Sequence, residues 1–195
     1  MRATRLLTLL LAQGSALRVT KPASRRAAVA GAVLMSPALL SPAHALKPCP
    51  SGANNCFSSA SAADKTKLAE WRYPAGASKA DVVKDLRAVI QGYPQAGQAQ
   101  VDLGGWKVAE DSLADKGYAR VEYLSGLGNM AKFFNGGQPF VDDLELEIQE
   151  SAVAVRSSSR VGDSDFGVNA ARLRYLAAAL REKGWAAEAP SAGLK

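Results

Sequence analysis

Apolar and polar residues alternate with a period of two through residues 140–148. Phe140, Asp142, Leu144, Leu146 and Ile148 fall on one side, and Asp143, Glu145 and Glu147 on the other, the pattern of a half-buried strand. A turn at Glu150-Ser151 reverses the chain. Beyond it Val153, Val155, Ser157 and Ser159 share one face, while Ala154, Arg156, Ser158 and Arg160 share the other. A two-residue turn pairs Glu145 with Arg156 on the wet face and sets Asp142 opposite Ser159 on the core face. A carboxylate on a core face needs a partner. The period then becomes helical: Phe166, Asn169, Leu173, Leu176 and Leu180 form one stripe, so Asn169 faces inward in the first turn. Asp163, Ser164 and Asp165 stand ahead of it as N-cap candidates, and Gly184 closes the helix behind Arg181 and Lys183.

Upstream, Ser78 caps a second helix with Asp81 in capping-box spacing. Val82, Val83, Leu86, Val89 and Ile90 form its stripe, and Gly92 before Tyr93-Pro94 stops it. Strands follow over residues 101–111 and 118–125, joined by the turn Asp115-Lys116-Gly117. Gly104-Gly105 delays pairing of the first until Trp106. Residues 127–139 form a segment whose Met130, Phe133 and Phe134 are expected to tuck over the core. Residues 46–76 are small and polar, a coil anchored by Leu68, Trp71 and Tyr73. The order helix, four strands, helix predicts an α+β fold over residues 77–185: a four-stranded antiparallel sheet with two amphipathic helices on one face, a two-layer sandwich. Trp185 docks back in this reading, and residues 186–195 form a flexible tail.

These registers bring Asp142, Ser157, Ser159, Asp165 and Asn169 together where the open end of the hairpin meets a helix N-terminus. That set is the candidate binding cluster. Asp142 with Asp163 or Asp165 offers oxygens to a divalent cation such as Ca²⁺ or Mg²⁺. The plainer reading has Asp142 accept hydrogen bonds from Ser159, Asn169 or backbone N–H groups and pin hairpin to helix. Asp142 and Asp143 are adjacent strand residues on opposite faces, so they form no close carboxylate dyad. Arg156 and Arg160 are candidates for gripping a carboxylate or phosphate. Their alternative is pairing with Asp143 and Glu145 on a solvated sheet face.

Charge and composition narrow the function classes. The first 45 residues hold six of the 24 Lys and Arg, none of the 18 Asp and Glu, and the single histidine, His44. The rest is therefore neutral and histidine-free, which argues against nucleic-acid attraction and removes Ser-His-Asp and Cys-His sites. No P-loop or dinucleotide fingerprint is present, no cofactor is indicated and no metal centre is assigned. The leader has a short apolar run at residues 6–12, then a basic, acid-free stretch. Arg25-Arg26 precedes a second apolar run ending in Ala43-His44-Ala45, an A-x-A cleavage site. The second run is shorter than the about 20 residues needed to span a bilayer, so no transmembrane segment is expected in the mature chain. Two stacked export signals around a transit-like piece predict a plastid route to the thylakoid lumen. A bacterial-type twin-arginine export to a periplasm, or a single secretory signal, is the alternative. In such an oxidising compartment Cys49 and Cys56 are expected to form a small-loop disulfide, since their spacing is not the C-x-x-C of a redox motif.

The string from Phe140 to Asn169, FVDDLELEIQESAVAVRSSSRVGDSDFGVN, also resembles the signature of the domain of unknown function family 1499. Phe140, Asp142, Asp143, Arg156, Ser157, Ser159, Arg160, Gly162, Ser164, Asp165, Gly167 and Asn169 carry it. The upstream C-P-S…N-C element from Cys49 to Cys56 is similar to one in that family. The resemblance covers residues 49–184 and implies no reaction.

The sequence thus predicts a non-enzymatic lumenal protein that binds a partner, a photosynthetic membrane complex. The alternative is a small-ligand or cation-binding domain, with hydrolytic activity centred on Asp142, Asp165 and Asn169.

Overall fold

A computed structural model describes residues 45–95, 102–125, 133 and 135–190. The predicted leader up to residue 44, with Met130 and Phe134, lies outside the described residues. The fold is α+β. In chain order it comprises β1 (Cys56–Ser58), β2 (Trp71–Arg72), α1 (Lys79–Gln91), β3 (Trp106–Ser112), β4 (Tyr118–Leu124), β5 (Val141–Ile148), β6 (Ala152–Ser159) and α2 (Val168–Arg181).

The sheet has six strands rather than four, ordered β1-β6-β5-β4-β3, with β2 also paired to β6. All these pairings are antiparallel. The two added strands arise in the segment expected to be coil. They are three and two residues long, too short for alternation to show. Their formation has a physical cause. β6 would otherwise end the sheet with unpaired N–H and C=O groups, and β1 pairs with its residues 156–158 while β2 pairs with 152–153.

The β5–β6 hairpin has the register that alternation predicts, with Glu145 opposite Arg156 and Asp142 opposite Ser159. One face of the sheet, carrying Val121, Tyr123, Leu144, Leu146, Val153 and Val155, shares a single core with Leu86 and Ile90 of α1 and Leu173, Leu176 and Leu180 of α2. At α1 the full capping box forms: the Ser78 hydroxyl accepts from the Asp81 N–H, and the Asp81 carboxylate accepts from the Ser78 N–H.

Three local expectations need correction. Phe166 is 72% exposed instead of joining the apolar stripe, because it precedes α2 with φ of 53° and so is out of helical phase. Phe133, expected to tuck over the core, is 82% exposed. The residues after Gly184 are held, not free, as far as Glu188. Arg72 and Ala186 exchange backbone hydrogen bonds, and the Trp71 indole donates to the Glu188 carbonyl at 2.7 Å. Gly184 makes this return possible. With φ of 85° it sets the paired bonds of a Schellman motif, Gly184 N–H to Arg181 and Trp185 N–H to Leu180. Trp185 is then buried, its indole donating to Asp85 at 3.0 Å.

Cys49 and Cys56 are joined by a disulfide, with Cα atoms 5.7 Å apart. It ties the N-terminal segment to the start of β1. Just before it, Leu46 lies with Tyr118 and Ala154 in a small second apolar cluster. Tyr118 and Ala154 alternate with the core-facing residues of β4 and β6, so this cluster belongs to the outer face of the sheet.

Candidate functional site

The five residues of the predicted cluster do come together, but around a centre that alternation did not reveal. Arg172, one turn along α2 from Asn169, has 0% exposure. Its guanidinium commits every N–H it has. Nε donates to Asp102 Oδ2 at 2.9 Å, and Nη2 donates to Asp102 Oδ1 and to Asp142 Oδ2, the latter at 2.8 Å. Nη1 donates to Ser157 Oγ at 3.1 Å and Asn169 Oδ1 at 2.8 Å. The Tyr123 ring lies beneath, 4.2 Å from the guanidinium carbon, in cation–π contact.

Burial alone would lower the pKa of Arg172. The charge and hydrogen bonds of Asp102, then the charge of Asp142, outweigh it and raise the pKa, so the guanidinium stays protonated. Tyr93 donates to Asp102 Oδ2 at 2.7 Å, and burial beside that charge raises its phenol pKa well above the ordinary range. Burial does the same to Tyr123, whose hydroxyl has no hydrogen-bond partner among the described residues.

Asn169 is the second hub. Its Oδ1 accepts from Ser157 Oγ at 2.5 Å. Its Nδ2 donates to Asp165 Oδ2 at 2.8 Å, Ser159 Oγ at 3.1 Å and the Asn55 carbonyl at 3.3 Å. Asp165 acts as the cap of α2 from just upstream of Gly167. Its oxygens accept the N–H groups of Gly167 and Asn169, each at 2.9 Å. The partner of Asp142 is therefore Arg172, not Ser159, Asn169 or a backbone N–H. Arg172 and Asp102 are what sequence reasoning missed. The available signal was Arg172 lying three residues after Asn169 on the inner half of the helix.

Arg156, Arg160 and Asp143 sit apart from this cluster, on the outer face of the sheet. Arg156 pairs with Glu145 at 2.6 Å. Arg160 grips Asp143 through two nitrogens at 2.7 and 2.8 Å and reaches Glu122 at 2.6 Å. Arg120 bridges the same two acids, and Lys107 adds a contact to Glu122 at 3.0 Å. Hydrogen bonds from Arg160, then Lys107, bring the Glu122 carboxyl down to about 2. Burial pushes Asp143 up, but the hydrogen bonds from Arg160 and Arg120 prevail and its pKa is lowered. Both arginines are thus engaged by this chain's own acids.

A pocket of ≈ 120 Å³ opens between the free end of the β5–β6 hairpin and the start of α2. Asp142, Ser159, Ser164 and Asp165 line it, with Phe140 and Val161 among its apolar walls. Asp142 turns Oδ2 toward Arg172. Its Oδ1 accepts no hydrogen bond from any described residue, although Asp142 is only 8% exposed. A cation would find little else: Asp165 is already engaged by three donors, and no group of three or more His, Cys, Asp or Glu side chains is placed to hold a metal among the described residues.

Fold and site together define an α+β domain built around a buried carboxylate–guanidinium–carboxylate cluster, with a small acidic pocket at its edge. Residues 45–180 match the family described as "Protein of unknown function (DUF1499)", and the chain belongs to that family. No curated protein and no solved structure matches it. Among the described residues, no helix is long and apolar enough to cross a membrane.

Proposed function

We propose that this protein is a non-catalytic binding domain that works through the pocket over Asp142. The observation that carries this reading is the Asp142 Oδ1, which accepts no hydrogen bond from the described residues, in a neighbourhood where the other polar groups of the cluster are bonded. A carboxylate oxygen that faces a cavity without a donor from the described residues is a place where a ligand's donor replaces water. The reading includes no hydrolytic step. Asn169 is buried with both ends of its amide engaged, and the Asp165 carboxylate is committed to the Gly167 and Asn169 N–H groups and the Asn169 amide.

A thermal-shift screen of the disulfide-bonded protein over amines, cations, carboxylates and neutral alcohols tests it. One compound class should raise the melting temperature by several degrees, and Asp142→Asn should abolish that rise while leaving a folded circular-dichroism spectrum. A flat screen overturns the reading.

The leader favours a further, compatible reading: the domain acts in a thylakoid lumen as an accessory protein of a photosynthetic membrane complex. Its motivation is the stacked export signals with Arg25-Arg26 and Ala43-His44-Ala45. Co-migration with a thylakoid complex on native gels is expected, and migration only as free protein counts against it.

A further inference from the structure

Resting on the binding reading above, we propose that the pocket over Asp142 takes a primary alkylammonium group, supplied by a small free amine or by a lysine side chain of another protein. Five features converge on that chemistry. The charged side chains lining the pocket are Asp142 and Asp165, with no basic residue among the described lining, so an anion would be repelled. The open acceptor is a single carboxylate oxygen. Arg172 cannot serve it, because all its N–H groups are committed. A guanidinium would seek two parallel oxygens, and Ca²⁺ would seek six or more oxygen ligands, whereas an ammonium is satisfied by one carboxylate oxygen and hydroxyls.

Ser159 and Ser164 supply those hydroxyls. Each hydroxyl oxygen accepts one bond from this chain, from Asn169 Nδ2 at 3.1 Å and from the Phe166 N–H at 3.3 Å. Each keeps a second lone pair. The volume also fits. A pocket of ≈ 120 Å³ has room for the ammonium end of an alkylamine. The lip is apolar where an alkyl stem would leave: Phe166 is 72% exposed and Val161 44% exposed, beside the carboxylates. An exposed phenylalanine held at φ of 53° is poorly explained by packing, whereas a stem or cation against its ring uses it.

The test is a set of amide-resolved NMR titrations of the full disulfide-bonded chain. The probes are n-butylamine (protonated at neutral pH), n-butanol, butyrate and Nα-acetyl-lysine N-methylamide. The amine should shift the amides of Asp142, Ser159 and Phe166 saturably, with an apparent affinity at least tenfold above that of n-butanol. Butyrate should have no effect. Asp142→Asn should erase the preference for amine over alcohol. Phe166→Ala, an exposed change that spares the buried cluster, should weaken both probes several-fold. Saturable binding of the lysine derivative would assign the group to a partner's side chain, and binding of n-butylamine alone would assign it to a free amine; either supports the proposal. If n-butanol or butyrate shifts the same amides as strongly, the alkylammonium assignment falls while the pocket remains a binding site. If no probe moves them, both readings fall.

Discussion

Arg172 is the residue whose loss should do most damage. It is fully buried and faces two carboxylates. Arg172→Leu would leave Asp102 and Asp142 buried without their counter-charge, and breaking a buried pair in this way costs about 3–5 kcal/mol. The measurement is the urea unfolding midpoint at neutral pH, and a midpoint unchanged from the parent would show the cluster to be energetically idle. Half of this cluster could be read from the chain. Alternation put Asp142 opposite Ser159, and helical spacing turned Asn169 inward. The centre could not be read, because an arginine at a helix position is ordinarily solvated. Its main partner, Asp102, comes from 70 residues earlier, ahead of the Gly104-Gly105 break in the predicted strand.

At the scale of elements, the strongest constraints fall where chain segments approach closely. Gly104 leads into β3 beside the end of β4. A Cβ built on it would lie 2.7 Å from Leu124 Cβ and 2.8 Å from the Leu124 carbonyl oxygen. Backbone cannot yield as a side-chain tip can, so Gly104→Ala should destabilise by about 1–3 kcal/mol, read from the chemical-unfolding midpoint. A neutral result would mean that the entry to β3 moves freely. The disulfide acts on a different element. It holds the segment from Cys49 to the first residue of β1 in a loop with a sequence separation of 7. Reduction should lower stability by about 2 kcal/mol, as expected for so short a loop, and the thermal midpoint with and without reductant reports it. No change on reduction would place the segment's anchorage in its hydrogen bonds instead, such as Cys49 N–H to Ser61 Oγ at 2.8 Å. Long elements were legible because capping and period agreed over many residues, as at Ser78 and Asp81. β1 and β2 were not, since what makes them strands is the open edge of β6 and not their own residues. Phe166 misled for a related reason: its spacing matched the stripe of α2, but the backbone turn at Phe166 and Gly167 precedes the helix.

Across the whole molecule, one sheet separates two electrostatic regimes. On the helix-covered face a few charges are locked away from water. On the other face Glu122, Asp143, Arg120, Arg160 and Lys107 form a network that solvent still reaches, with the Arg160 side chain 41% exposed. Single exposed pairs contribute little, but a network in which two acids share three cations resists acid collectively. Glu122 shows the sign. Its folded pKa of about 2 lies below the roughly 4.3 of an unfolded chain, so it contributes stability above that unfolded value and loses it as pH falls toward 2. Asp143 is shifted in the same direction and adds to the same window. Arg160→Gln removes the hydrogen bonds that dominate the Glu122 shift. It should therefore lower the urea midpoint at pH 7 by an amount that disappears between about pH 4.3 and 2, where the parent has itself lost the interaction. Adding 1 M salt at pH 7 should narrow the same gap, because the network is within reach of screening ions. A gap that persists unchanged at pH 2 would instead make the contribution of Arg160 one of packing by its methylene stem, independent of the acids it holds.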